Sequence, residues 1–145
     1  MVQCLDLGSN KLSGPIPSSI HSLNSTLSAL SLNDNQLSGT LPEEIFRLSS
    51  LQSLNQTQNR LSGSISSSII CLFASRSFLL SQASMISLNQ NKFYGSLPTS
   101  IGAMKYLRVM NIQSNDLTGT LPMELYKLHL TYRDILCPEP SHRYC

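Results

Sequence analysis

Apolar residues recur along the chain in pairs separated by one residue, and each pair stands five and three positions before an asparagine. Alternate side chains of a β-strand point to opposite faces, so each pair predicts a short strand with two inward side chains. The pattern predicts strands near residues 4–8, 29–33, 53–57, 85–89 and 109–113. The pairs are Leu5 and Leu7, Leu30 and Leu32, Leu54 and Gln56, Ile86 and Leu88, and Met110 and Ile112.

A sequence motif follows each asparagine: Leu or Phe two positions later, Gly four positions later, and Ile or Leu six positions later, usually followed by Pro. The asparagines are spaced 25, 24, 32 and 24 residues apart, and a nearly fixed period of this size indicates a solenoid. An amide at a turn can bond backbone groups of its own coil and of the next one. We therefore expect an interior asparagine ladder, formed by Asn10, Asn35, Asn59, Asn91 and Asn115.

The complete unit, from the first leucine to the residues after the proline, resembles the plant-type leucine-rich repeat over residues 2–128. The resemblance implies an α/β fold, a right-handed solenoid of about five coils. Short parallel strands would line its concave face, and 3₁₀ or irregular turns would form its convex face. Residues 129–145 would then be an irregular tail that resembles a C-terminal cap.

Two features interrupt the repeat. About eight extra residues fall between the third and fourth units, which predicts an insertion near residues 70–82, on the convex side or at an edge. The third unit also carries Gln56 at an inward position and Ser66 in place of proline. A buried amide is costly without hydrogen bonds. Either Gln56 bonds backbone groups, or the third strand is locally displaced.

The two ends also depart from the pattern. The tail places Cys137 and Cys145 where the family's C-terminal cap has its cysteine pair, and this resemblance implies a disulfide. Cys4 and Cys71 have no partner close in sequence. The chain starts directly in a repeat, without a secretory signal or an N-terminal cap, so the expectation is a fragment or a truncated gene product.

Neither the composition nor the spacing of residues indicates a catalytic or metal-binding site. Net charge is +2, with Lys and Arg scattered singly, and no run of about 20 apolar residues is present. The cysteines lack zinc-site spacing, and no glycine-rich phosphate loop occurs. The three histidines, His21, His129 and His142, have no acid and nucleophile at a recurring spacing. We expect no catalysis, metal, cofactor, nucleic acid or membrane segment.

The outward residues of the strands form polar columns that could bind a ligand. The "strand column" lies between the inward pairs, and the "turn column" lies two residues later. Registered amides and hydroxyls suit an extended peptide or a carbohydrate better than an aromatic-rich protein interface. The candidate ligand-binding residues of the two columns are Asp6, Ser31, Asn33, Asn55, Thr57, Ser87, Asn89, Asn111 and Gln113.

Two glycosylation sequons begin at Asn24 and Asn55. Asn24 precedes the second strand in an accessible connection, and we expect it to be glycosylated if the protein is secreted. A glycan on Asn55 would lie on the concave face and obstruct binding there.

The resemblance implies a non-catalytic recognition module from the ectodomain of a plant receptor-like kinase or receptor-like protein, acting in signalling or defence. Its partners would be an extracellular peptide or protein ligand and a co-receptor, outside the plasma membrane or in the apoplast. Two alternatives stay open: an extracellular inhibitor of a cell-wall enzyme, resembling the polygalacturonase inhibitors, and a truncated relative without function.

Overall fold

A computed structural model describes residues 3–23, 26–74 and 84–128. In these residues, ten short strands alternate between two parallel sheets, so that each coil contributes one strand to each sheet. The strands are β1 (Cys4–Asp6), β2 (Ser13–Gly14), β3 (Ala29–Ser31), β4 (Gln36–Thr40), β5 (Ser53–Asn55), β6 (Arg60–Ser64), β7 (Ser84–Ser87), β8 (Lys92–Gly95), β9 (Leu107–Asn111) and β10 (Asp116–Leu117).

The first sheet, here called the concave sheet, has the order β1-β3-β5-β7-β9, so each strand pairs with the strand of the next coil. Its register aligns the first inward residue of every coil: Leu5 with Leu30, Leu30 with Leu54, and so on to Met110. Backbone hydrogen bonds between coils continue past the strand ends as far as the asparagines, as in the 3.2 Å bond from Asn35 N to Gln58 O. The predicted solenoid of about five coils is confirmed.

The second sheet, in the order β2-β4-β6-β8-β10, was not predicted. It is built from the residues after each asparagine, where Leu37, Leu61 and Phe93 are buried between outward neighbours. The glycine of each motif has a φ between 79° and 93°, a left-handed conformation that glycine adopts without steric cost. The chain turns at these glycines and is also paired there with the neighbouring coils, as Gly39 is with Leu61 and Gly63 is with Phe93.

The side opposite the concave sheet is formed by short 3₁₀ helices, one in each coil. Most begin after a proline with extended φ and ψ, such as Pro42 and Pro98, which presets the chain for the turn. The ranges are Ser18–Leu23, Glu43–Arg47, Ser67–Ile70, Thr99–Ala103 and Met123–Lys127.

Ser66 replaces the proline in the third coil and caps the following 3₁₀ helix. Its hydroxyl accepts the Ser68 N–H at 3.2 Å and donates to Glu43 of the preceding coil at 2.8 Å. Hydrogen bonds from Ser68 and Ser66 hold the pKa of Glu43 below its usual value. The substitution therefore exchanges a preset backbone angle for a helix cap and a contact between coils.

Gln56 contradicts both sequence-based expectations. Strand β5 is not displaced, because Leu54 pairs in register with Leu30 and Ile86. The Gln56 side chain is fully buried, yet neither its Oε1 nor its Nε2 has a hydrogen-bond partner. The core of the third coil thus contains an unsatisfied amide.

Only the start of the predicted insertion lies within the described residues. Residues Cys71–Ala74 at the start of the insertion form one helical turn, α1. The rest of the predicted insertion lies outside the described residues, as do the tail, the predicted Cys137–Cys145 disulfide and the sequon at Asn24.

The first coil is less covered than those that follow it. Leu7 and Leu12 are 38% and 40% exposed, whereas their counterparts Leu32 and Leu37 in the second coil are 5% and 6% exposed. This difference agrees with the rule that a solenoid repeat buries its apolar face against its neighbours.

Candidate functional site

The five asparagines are placed by a left-handed residue directly before each of them. Ser, Asp or Gln occupies this position, with φ between 52° and 56°. The conformation is uncommon for residues with a side chain, and it turns the chain sharply at the end of the concave sheet. The left-handed residues are Ser9, Asp34, Gln58, Gln90 and Ser114.

Each asparagine after the first bonds to the coil before it as well as to its own turn. Asn91 is the most buried example. Its Oδ1 accepts the Leu61 N–H at 3.0 Å, and its Nδ2 donates to the backbone carbonyl oxygen of Gln56 at 2.8 Å. The same Nδ2 reaches the Leu88 oxygen at 3.1 Å within its own turn. Asn35, Asn59 and Asn115 repeat these contacts. The ladder satisfies backbone groups that would otherwise be buried without partners.

The strand column and the turn column lie side by side on the concave sheet. Both columns run across its hydrogen-bonded strands. Their members are mostly half-buried; Asp6 is exposed, and Ser87 is buried. Partial burial restricts the rotamers of these side chains and leaves part of each polar group accessible. The columns therefore form a fixed pattern of donors and acceptors.

Hydrogen bonds between coils fix the orientation of several column side chains. Asn33 Oδ1 accepts from Ser31 Oγ at 2.6 Å and from Asn55 Nδ2 at 3.5 Å. Asn89 Oδ1 accepts from Thr57 Oγ1 at 2.8 Å. In the last two coils, Asn111 Nδ2 donates to Ser87 Oγ at 3.2 Å. The candidate residues of neighbouring coils are thus brought together, and part of their hydrogen-bonding capacity is already used.

A third set of outward residues was missed by the sequence analysis. This "outer column" lies beside the strand column and includes Met85 and Val109, which are half-buried and adjacent in register. It adds apolar surface at the fourth and fifth coils. Strand alternation could have identified the column, but its members share no residue type: they are Cys4, Ala29, Ser53, Met85 and Val109.

Gly8 leaves room for the Asn33 amide. A Cβ at Gly8 would lie 2.6 Å from Asn33 Oδ1, closer than such atoms approach. We predict that Gly8→Ala displaces this amide while changing the free energy of unfolding by less than about 1 kcal/mol, because only the end of a side chain must move. The displaced group would show as a shifted side-chain amide signal of Asn33 in NMR spectra.

Ser31→Ala provides the matched comparison for this prediction. It removes the 2.6 Å hydrogen bond to Asn33 without steric pressure and should shift the same signal. An unchanged Asn33 signal in Gly8→Ala would contradict the packing described.

The sequon asparagine Asn55 lies in β5, the middle strand of the concave sheet. Its Nδ2 donates to Asn33, and its Oδ1 accepts the Thr57 N–H at 3.2 Å. A glycan would be attached at this Nδ2, within the candidate site. Glycosylation of Asn55 therefore stays a prediction, and it would be incompatible with ligand binding at the same place.

Other kinds of site find little support in the described part of the chain. No group of three or more His, Cys, Asp and Glu side chains there could hold a metal ion. Cys4 and Cys71 are exposed free thiols. The helices in the same residues are all too short or too polar to cross a bilayer.

Comparisons with known proteins agree with this architecture. A model of the Leucine Rich Repeat family matches residues 1–23, 26–48 and 106–128. The chain is 40% identical to Receptor-like protein 35 of Arabidopsis thaliana, over 84% of this chain and 14% of that protein. It spans 14% of the length of the curated relatives that it matches.

Two solved structures from Arabidopsis thaliana are also similar. One is the ectodomain of the receptor kinase GASSHO1/SCHENGEN3 in complex with CASPARIAN STRIP INTEGRITY FACTOR 2, with 32% identity, a TM-score of 0.77, and coverage of 90% of this chain and 14% of that one. The other is the BIR3–SERK2 complex, with 32% identity, a TM-score of 0.72, and coverage of 96% and 71%. On its repeats, its two parallel sheets and these similarities, the chain belongs to the leucine-rich repeat family.

Proposed function

We propose that this chain is a non-catalytic recognition module of a plant receptor-like kinase or receptor-like protein. Its concave sheet would bind an extracellular peptide or protein ligand. The observation that carries the proposal is the pair of polar columns, held in register by bonds such as Thr57 to Asn89 and Asn111 to Ser87. Preorganised donors and acceptors reduce the entropy lost when a ligand binds.

The relatives support a receptor rather than an inhibitor of a cell-wall enzyme. One relative is a receptor-like protein, one of the two solved structures is a receptor kinase ectodomain with a bound factor, and the other is a complex of BIR3 with SERK2. By analogy, the ligand and a co-receptor would meet this module outside the plasma membrane. The coils of the concave sheet, spaced by about 5 Å, span only about 20 Å, so we expect weak binding by this chain alone.

Selection of a random peptide library against the full chain tests the proposal. Selected peptides should lose binding to a triple variant, Asn33→Lys with Asn89→Lys and Asn111→Lys, because three long cations then occupy the columns. The control places three lysines on exposed residues of the second sheet, Ser13, Gln36 and Ser64, and should bind as the wild type does. Equal binding by the concave variant would overturn the proposal.

A further inference from the structure

Asn33 and Asn89 occupy equivalent positions of the turn column in the second and fourth coils, and the side-chain oxygen of each accepts a hydrogen bond from the third coil. The third coil holds them: Asn55 donates to the Asn33 oxygen on one side, and Thr57 donates to the Asn89 oxygen on the other. The hydrogen bonds of these two amides among the described residues all involve Oδ1, so each Nδ2 is available as a donor. The turn column therefore presents two matched N–H donors, separated by one coil.

The distance between these two donors selects a ligand conformation. Neighbouring parallel strands are about 4.8 Å apart, so positions two coils apart are separated by about 9.6 Å. A polyproline II helix has three residues per turn and rises about 3.1 Å per residue, which repeats its carbonyls on one side every 9.3 Å or so. A β-strand repeats its carbonyls on one edge about every 6.7 Å, which does not match.

The surroundings of the two donors also suit a ligand that lacks N–H groups. Between them, Thr57 has already donated its hydroxyl proton to Asn89, and its methyl group is the apolar part of the side chain. Met85 and Val109 of the outer column supply half-buried apolar surface on the same sheet, on the other side of the strand column. Proline rings need apolar contact, and their nitrogens need no acceptor.

We propose that the concave sheet binds a proline-rich peptide in the polyproline II conformation, lying across the strands. Carbonyls three residues apart accept hydrogen bonds from Asn33 Nδ2 and Asn89 Nδ2. This inference rests on the proposed function, because it names the class of ligand for the same surface.

The test uses Asn33→Asp and Asn89→Asp in the full chain. Aspartate retains an oxygen for Ser31, Asn55 or Thr57 but lacks the outward N–H donor. The probe is a fluorescent peptide of three Ser-Pro-Pro repeats, with its all-D enantiomer as a probe of identical composition and opposite helical hand. Gln58→Glu and Gln90→Glu introduce the same charge at exposed neighbouring positions and serve as matched controls.

The probe should bind the wild type at least tenfold more tightly than its enantiomer does. Each aspartate variant should weaken binding about fivefold or more, as expected for the loss of one hydrogen bond. The glutamate controls should stay within about twofold of the wild type. Unchanged binding to both aspartate variants, or equal binding of the enantiomer, would overturn the inference.

Two further results separate this inference from the proposed function. If library-selected peptides are sensitive to the concave lysine variant while the Ser-Pro-Pro probe fails to bind, the polyproline ligand is wrong and the recognition module stands. If neither the probe nor the selected peptides respond to concave substitutions, both proposals fail.

Discussion

Replacing Asn91 by alanine should lower the free energy of unfolding by about 4 kcal/mol. The side chain accepts one hydrogen bond from the Leu61 N–H and donates to three backbone carbonyl oxygens. One of these three, the oxygen of Gln56, belongs to the preceding coil. Each such bond contributes about 1 kcal/mol, and buried groups left without partners add to the loss. Urea denaturation followed by circular dichroism would measure the change.

Asn10→Ala is the matched control within the same chain. Asn10 occupies the equivalent position, but its amide is exposed and, among the described residues, bonds only the Leu7 and Gly8 backbone oxygens of its own turn. Its loss should therefore cost about 1 kcal/mol. Equal losses for the two variants would show that the bonds between coils do not carry the stability of the ladder.

Hydrogen exchange would locate the effect. In a solenoid each coil contacts only its neighbours, so loss of Asn91 should weaken the contact between the third and fourth coils first. The Leu61 N–H, which loses its acceptor, should exchange much faster in Asn91→Ala than in the wild type.

The sequence was sufficient to predict the solenoid, because inward residues such as Leu30 and Leu54 recur at a fixed distance from an asparagine. The second sheet was not predicted, because Leu-x-Gly followed by proline is typical of a turn. The left-handed residues were also missed. Asp34 and Gln58 are not glycines, and the stacking of neighbouring coils imposes their conformation.

The composition of the candidate site could be predicted, but not its internal bonding. Strand alternation identified Asn33, Thr57 and Asn89 as outward polar residues. Which oxygen accepts which hydrogen depends on the register between coils and on rotamers limited by partial burial. Gly8 shows the same limit, since its role depends on the position of Asn33 in the next coil.

Gln56 shows why a local rule about buried amides was insufficient. Gln56 occupies the inward position that Leu32 and Leu88 hold in the adjoining coils. The carbonyl oxygens of those two leucines already accept from the asparagine ladder, as does the oxygen of Gln56 itself. The ladder therefore uses the backbone acceptors that the Gln56 amide would need.

Gln56→Leu should raise the free energy of unfolding by about 2–3 kcal/mol. Burying an amide without hydrogen bonds costs about 1–3 kcal/mol in proteins, and leucine adds favourable apolar burial at a position where Leu32 and Leu88 already pack. The backbone contacts of Gln56 stay available, because they do not involve its side chain. The measurement is the urea midpoint, which should rise without a change in slope.

Gln36→Leu separates this effect from a general gain in hydrophobicity. Gln36 begins β4 and is exposed, so its amide is already hydrated and leucine should change stability by no more than about 0.5 kcal/mol. A Gln56→Leu variant no more stable than the wild type would mean that the buried amide has partners in solution, such as an internal water. In that case the third coil would hold a satisfied polar group, and its core would be as stable as those of its neighbours.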